Sequence, residues 1–123
     1  QTQRSGYYSP NEVIGSVLWH PTEPFVVSCT TDNGVFHVLD TRASFPNVFG
    51  TEKSDLYAHC YRDDYTVLLG YGDGGISVLD LRRPAIVSSF RDPCMAAIGE
   101  IRYDRNTGSF VCFGQPRCVT LTQ

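Results

Sequence analysis

The sequence predicts an all-β chain built of small antiparallel sheets laid face against face. Three observations predict it. The pattern of "TTDNGVFHVLDTRAS" at residues 30–44 returns in "GYGDGGISVLDLRRP" at residues 70–84. The apolar runs are short, rich in β-branched and aromatic residues, and bounded by Gly, Asp and Pro, as strands are. No helical periodicity of useful length appears between them.

The first unit opens with "SVLWHPTEPFVVSCT", which reads strand, polar turn, strand. "DNG" follows, a turn in which Gly34 supplies positive φ without a Cβ clash. "VFHVLD" is the third strand, and "ASFPNVF" contains a fourth. The second unit repeats the order with "AHCYRDDYTVLLGYG", "DGG", "ISVLD" and "AIVSSF". Between the two units Asn33 matches Asp73, Gly34 matches Gly74, Phe36 matches Ile76 and Val38 matches Val78, with Leu39, Asp40 and Arg42 matching Leu79, Asp80 and Arg82. Each pair is 40 residues apart. The third unit, "GEIRYDRNTGSFVCFGQPRCVTLTQ", matches the strand–turn–strand opening and carries "GQPR" in place of the glycine turn. The expected boundaries are 13–53, 54–94 and an incomplete 95–123, with 1–12 as a linker or outer strand.

A set of three or four strands with apolar residues on both faces cannot bury them alone and must stack between neighbours. Phe36 and Val38 lie on one face here and Leu39 on the other. A period near 40 residues with four strands per unit indicates a β-propeller. At this point "DGGISVLD" resembles the Asp-Gly-x-apolar-x-apolar-Trp-Asp signature of WD repeats, with Leu79 in the Trp position. "NGVFHVLD" is similar, with Leu39 there and Asn33 in place of the turn Asp. The Gly-His dipeptide of the family is absent. The resemblance implies about three blades of a partial WD-repeat propeller from Val13 to Thr122. It also implies a structural turn role for Asp73, with Asn33 a neutral version of it.

Composition agrees with a globular chain: 123 residues, 41% hydrophobic and 19% charged. The net charge of -3 disfavours a general affinity for phosphate backbones. No run of about 18 apolar residues suggests a membrane helix. The five cysteines are odd in number and lack C-x-x-C spacing, so they are expected to serve as small apolar thiols in a reducing, intracellular setting, cytoplasmic or nuclear. Cys112 and Cys118 are spaced to suit either a strand–turn–strand clip or separate burial. Both chain ends look cut, and three blades close no ring. The chain is therefore expected to be an excerpt of a longer propeller, with pairing to another chain, or an outer strand from "RSGYYS", as alternatives.

Propellers chiefly bind proteins, and no enzyme motif is present: neither Gly-x-Ser-x-Gly, nor His-Glu-x-x-His, nor a phosphate loop leading into a helix. His59 and Cys60 adjoin, but neighbouring strand residues face opposite ways, so they form no nucleophile–base pair. No catalytic residue, cofactor or metal is expected. Trp19, Tyr61 and Tyr103 occupy equivalent places and read as repeated core packing. The expected function is a protein–protein interaction scaffold. The endings "LDTR" and "LDLR" resemble the Asp-x-Arg motif of propellers that serve as substrate receptors of cullin-type ubiquitin ligases. That resemblance makes Arg42 and Arg82 candidates for docking an adaptor, since an exposed guanidinium forks onto a partner's carboxylate or carbonyl. Arg83 and Arg91 extend Arg82 into a basic cluster, and a nucleic-acid-binding propeller is the remaining alternative.

Overall fold

The computed structural model describes residues 12–43, 46–51, 53–91, 97–115 and 118–122. The "RSGYYS" segment, Cys94 and the centre of the "GQPR" turn lie outside the described residues. The described residues form strands and turns, with no helix. The first sheet contains β1 (Ile14–Trp19), β2 (Val26–Thr31), β3 (Val35–Asp40) and β4 (Asn47–Gly50). The second contains β5 (Leu56–Tyr61), β6 (Thr66–Tyr71), β7 (Gly75–Asp80) and β8 (Ala85–Arg91), and the third β9 (Ala97–Asp104), β10 (Ser109–Gln115) and β11 (Cys118–Thr122). Each sheet is an antiparallel meander in chain order.

The sheets share fine detail as well as strand count. Each has a register shift at the same place between its first two strands: Ile14/Ser16 in the first sheet, Leu56/Ala58 in the second, and Phe113/Gly114 opposite β9 in the third. A bulge adds one residue and sharpens the local twist. The turns leading into the third strands of the first two sheets also coincide. Gly34 N donates to Thr31 O at 3.0 Å with φ 80°, and Gly74 N donates to Tyr71 O at 3.1 Å with φ 89°. A side chain is strained at that φ, so glycine ends both turns.

Strand alternation divides the second sheet into two apolar faces. Leu56, Val67, Leu69, Tyr71 and Leu79 face the first sheet and join its Phe36, with Val38 and Phe49 alongside. Ala58, Cys60, Leu68, Ile76 and Val78 face the third sheet and meet Ile98, Ile101, Phe110 and Cys112. All six residues of β6 are buried, so a strand covered on both faces reads as a continuous apolar run. The sheets approach most closely at their first strands: β5 lies against β1 and β2, and β9 against β5 and β6. Gly70 permits the second approach. A Cβ there would stand 2.9 Å from Ile98 Cβ and 3.0 Å from Ile101 Cδ1.

One expectation fails in part. Tyr61 and Tyr103 pack against the two cores, but Trp19, at the equivalent place, is 64% exposed. The reason is position in the stack. Trp19 pairs with Val27 on the face of the first sheet that no described sheet covers, beside Val17, Cys29 and Leu39. The uncovered face of the third sheet differs from it, with Glu100 paired to Arg102 and exposed Phe113.

Candidate interaction rim

Where β3 and β7 end, the chain builds the same small device twice. Asp40 Oδ1 accepts the backbone N–H of Arg42 at 2.9 Å, and its two oxygens take Arg42 Nε at 3.0 Å and Nη2 at 2.8 Å. In the second sheet Asp80 Oδ1 accepts the Arg82 N–H at 2.9 Å and faces Arg82 Nε at 3.4 Å. The Arg42 guanidinium lies 4.4 Å from the centre of the Phe25 ring, and that of Arg82 lies 5.0 Å from Tyr65. Phe25 and Tyr65 are themselves 40 residues apart, and their carbonyls receive Thr41 N at 2.7 Å and Leu81 N at 2.8 Å. The Arg42 hydrogen bonds draw the Asp40 carboxyl down to about 2. The Asp80 carboxyl is also lowered, first by the Arg82 amide. Both arginine side chains stay exposed, 61% and 63%. The aromatic partner had no signal in the sequence beyond its own 40-residue repeat.

Arg83 adjoins Arg82 at this rim, exposed. Arg91 does not. It ends β8 opposite Gly75, at the far edge of the sheet, where its charge helps lower Asp73 after the larger effect of Lys53. The structure therefore brings Arg42, Arg82 and Arg83 to one rim and separates Arg91 from them.

The turn residues lie at that far edge. Asp73 Oδ1 accepts Gly75 N at 2.9 Å, and its oxygens hold Lys53 Nζ at 3.1 and 2.9 Å. Lys53 sits in the connection between the first two sheets and covers the Tyr71 ring at 4.7 Å. Asn33, exposed in the matching turn, helps lower the Glu12 carboxyl after the larger effect of Thr31.

Two grooves flank Arg82. One, of about 270 Å³, runs between the first two sheets, with Val26, Val38, Phe49 and Leu81 among its lining and Asn47 at its edge. The other, of about 470 Å³, is lined by Arg62, Asp63, Asp64, Arg82 and Arg105. Asp64, Tyr65 and Arg82 line both. His20 braces the rim. Its Nδ1 accepts Thr22 N at 3.2 Å and Glu23 N at 3.1 Å, so Nε2 carries the proton and donates to Asp64 O at 2.8 Å.

A buried polar seam, which sequence reasoning missed, joins the first two sheets. His59 Nδ1 meets Ser16 Oγ at 2.7 Å, and Nε2 meets Ser28 Oγ at 2.8 Å. Tyr61 donates to Ser28 Oγ at 2.9 Å, and Ser16 Oγ lies 2.9 Å from Thr30 Oγ1. In this seam one ring nitrogen donates to a serine hydroxyl and the other accepts from one, so both tautomers keep every group paired. Either Ser28 donates to Nε2 and Nδ1–H to Ser16, or Nε2–H donates to Ser28, which then donates to Leu18 O at 3.5 Å, while Ser16 donates to Nδ1. Burial holds the ring neutral, with its pKa depressed to about 3. Cys60 faces the other way, in the second core, and burial raises its thiol to about 12. His59 and Cys60 are thus on opposite faces. Among the described residues, no three His, Cys, Asp or Glu side chains gather to hold a metal, and no helix is long and apolar enough to cross a membrane.

No protein-family model matches the chain, and no curated protein matches it.

Proposed function

We propose that this chain is part of a WD-like β-propeller and acts as a non-catalytic scaffold for protein partners, docking them on the rim that carries Arg42 and Arg82. The observation that carries the reading is the twofold Asp–Arg–aromatic device. Two exposed guanidinium groups are held over rings at one rim, which reduces the conformational entropy each loses on binding a partner. The repeated bulge and the stacking of three like sheets support the propeller part. Docking to a ubiquitin-ligase adaptor is a second reading, favoured by the exposure of Arg82 and by the form of its motif. The nucleic-acid alternative gains nothing from the geometry, because Arg91 stands apart from Arg82 and Arg83.

The test is charge reversal. The double variant Arg42→Glu, Arg82→Glu is expected to keep its strand circular dichroism and a cooperative melt, with the melting temperature lowered only modestly by the loss of two exposed Asp–Arg pairs, and to lose partner binding at least tenfold. Undiminished binding in a folded double variant rejects the rim. For the second reading the measurement is adaptor binding by Arg82→Glu alone, and unchanged affinity removes it.

A further inference from the structure

Resting on the scaffold reading, we propose that Arg82 and its two flanking grooves bind an extended acidic segment of a partner protein, with an apolar side chain in the first groove and a carboxylate beside Arg82 and Arg105 in the second. Three features lead there. The first groove is floored by half-buried Val26, Val38, Phe49 and Leu81, so an apolar side chain placed in it sheds water on both sides. The second gathers Arg62, Arg82 and Arg105 along one opening. Three arginines outnumber the two acids that line it, Asp63 and Asp64, and Asp63 is engaged, its Oδ1 accepting Tyr65 N at 2.9 Å with Oδ2 3.9 Å from Arg62 Nε; Asp80, outside the groove, holds only the Nε edge of Arg82. Arg82 lines both grooves with its side chain 63% exposed, and a planar guanidinium suits a carboxylate. Arg82 is the ridge between the grooves, so both contacts fall on neighbouring residues of one extended chain.

The experiment is selection of a displayed random heptapeptide library on the immobilised chain, followed by fluorescence anisotropy of the enriched peptide. We expect an enriched pattern in which Asp or Glu stands beside an aliphatic or aromatic residue. Replacing that acid by its amide, or introducing Arg82→Glu, should weaken binding at least tenfold, and raised salt should weaken it further. Asn47→Trp, an exposed substitution at the edge of the first groove, should weaken binding of the apolar-plus-acidic peptide and leave the fold intact by circular dichroism. A basic or purely apolar consensus, no consensus at all, or binding indifferent to both variants overturns the proposal. A nucleic-acid ligand would instead show as salt-sensitive oligonucleotide binding with no peptide enriched. These outcomes leave the scaffold reading to its own test, in which full partners are lost or kept by the double reversal.

Discussion

His59 lies between two sheets with both ring nitrogens hydrogen-bonded to serine hydroxyls and its ring edge-on to Phe36, 5.2 Å away between centres. Such a ring stays neutral in the fold, while the unfolded chain protonates near the ordinary histidine value. The folded pKa, about 3, is the lower one. Below about pH 6.5 the unfolded state therefore binds more protons, and stability falls as pH drops from there toward 3. At pH 5 the loss is about 2 kcal/mol, at 1.36 kcal/mol per unit below the unfolded value. His37 adds in the same direction, because burial lowers it more than nearby Glu12 raises it. Exposed Asp40, already drawn down to about 2, loses its contribution only in stronger acid. Urea titrations from pH 7.5 to 4.5 measure the slope. The His59→Gln variant, lower in overall stability, should show a visibly flatter profile across that range. An equal slope in the variant would mean that the seam does not set the acid response. The sequence singled out His59 only for adjoining Cys60 and gave no sign of this seam. Its neighbours across the seam are single serines, Ser16 and Ser28, whose meeting depends on the first sheet being turned onto the second.

At the scale of strands, the sequence was legible wherever the period of the chain repeats. The strands, the glycine turns and the fourth strands β4 and β8 all fall where short apolar runs and turn residues put them. Sheet membership followed from the 40-residue spacing of like segments. The bulges were invisible, because a bulge needs no special residue: Gly15 and Gly99 stand there in two sheets but Tyr57 in the other. Which sheet face is covered was also invisible, since an apolar alternation shows that a face wants a neighbour and not whether one is present. Leu39 and Leu79 look alike in sequence, yet only Leu79 is fully buried. The Arg42 and Arg82 candidates were found by their repeated motif, whereas the grooves beside Arg82 combine side chains from both hairpins and several strands. The close approach of β9 to β6 gives a test at this scale. Gly70→Ala drives a methyl group into Ile98, and overpacking of this kind costs roughly 1–3 kcal/mol. Ile98→Ala alone leaves a cavity and also destabilises. Combined, each change relieves the other, so the double variant should lose clearly less stability than the sum of the singles in chemical denaturation. Strict additivity would mean that the two backbones part without cost.

Taken whole, the stack has a used face and an unused copy of it. On the second sheet, Val67, Leu69 and Leu79 are covered by the first sheet to 1% exposure or less. Their counterparts 40 residues earlier, Val27, Cys29 and Leu39, line a shallow cavity of about 190 Å³ on the outer face of the first sheet. Around it Val17 is 59% exposed, Trp19 64% and Val48 53%. A contiguous apolar face of this kind is rarely left in water and marks a place of association. The opposite end of the stack is built otherwise: the Glu100–Arg102 pair and Phe113 occupy positions where the second sheet has Ala58, Cys60 and Gly70. A neighbour could not come as close there as β9 comes to Gly70, so the two ends are not interchangeable and the first sheet is the stickier one. The chain on its own is therefore expected to associate in solution through that face, with a mass above 13.7 kDa that rises with concentration. Placing charge on exposed positions of the same face, as in Val17→Asp with Trp19→Lys, should return it to a monomer without loss of strand content, because neither side chain belongs to a buried core. Sedimentation velocity over a hundredfold range of concentration makes the measurement. A folded wild-type monomer throughout that range would show that the outer face of the first sheet tolerates water, and that its likeness to the buried face of the second does not extend to a need for cover.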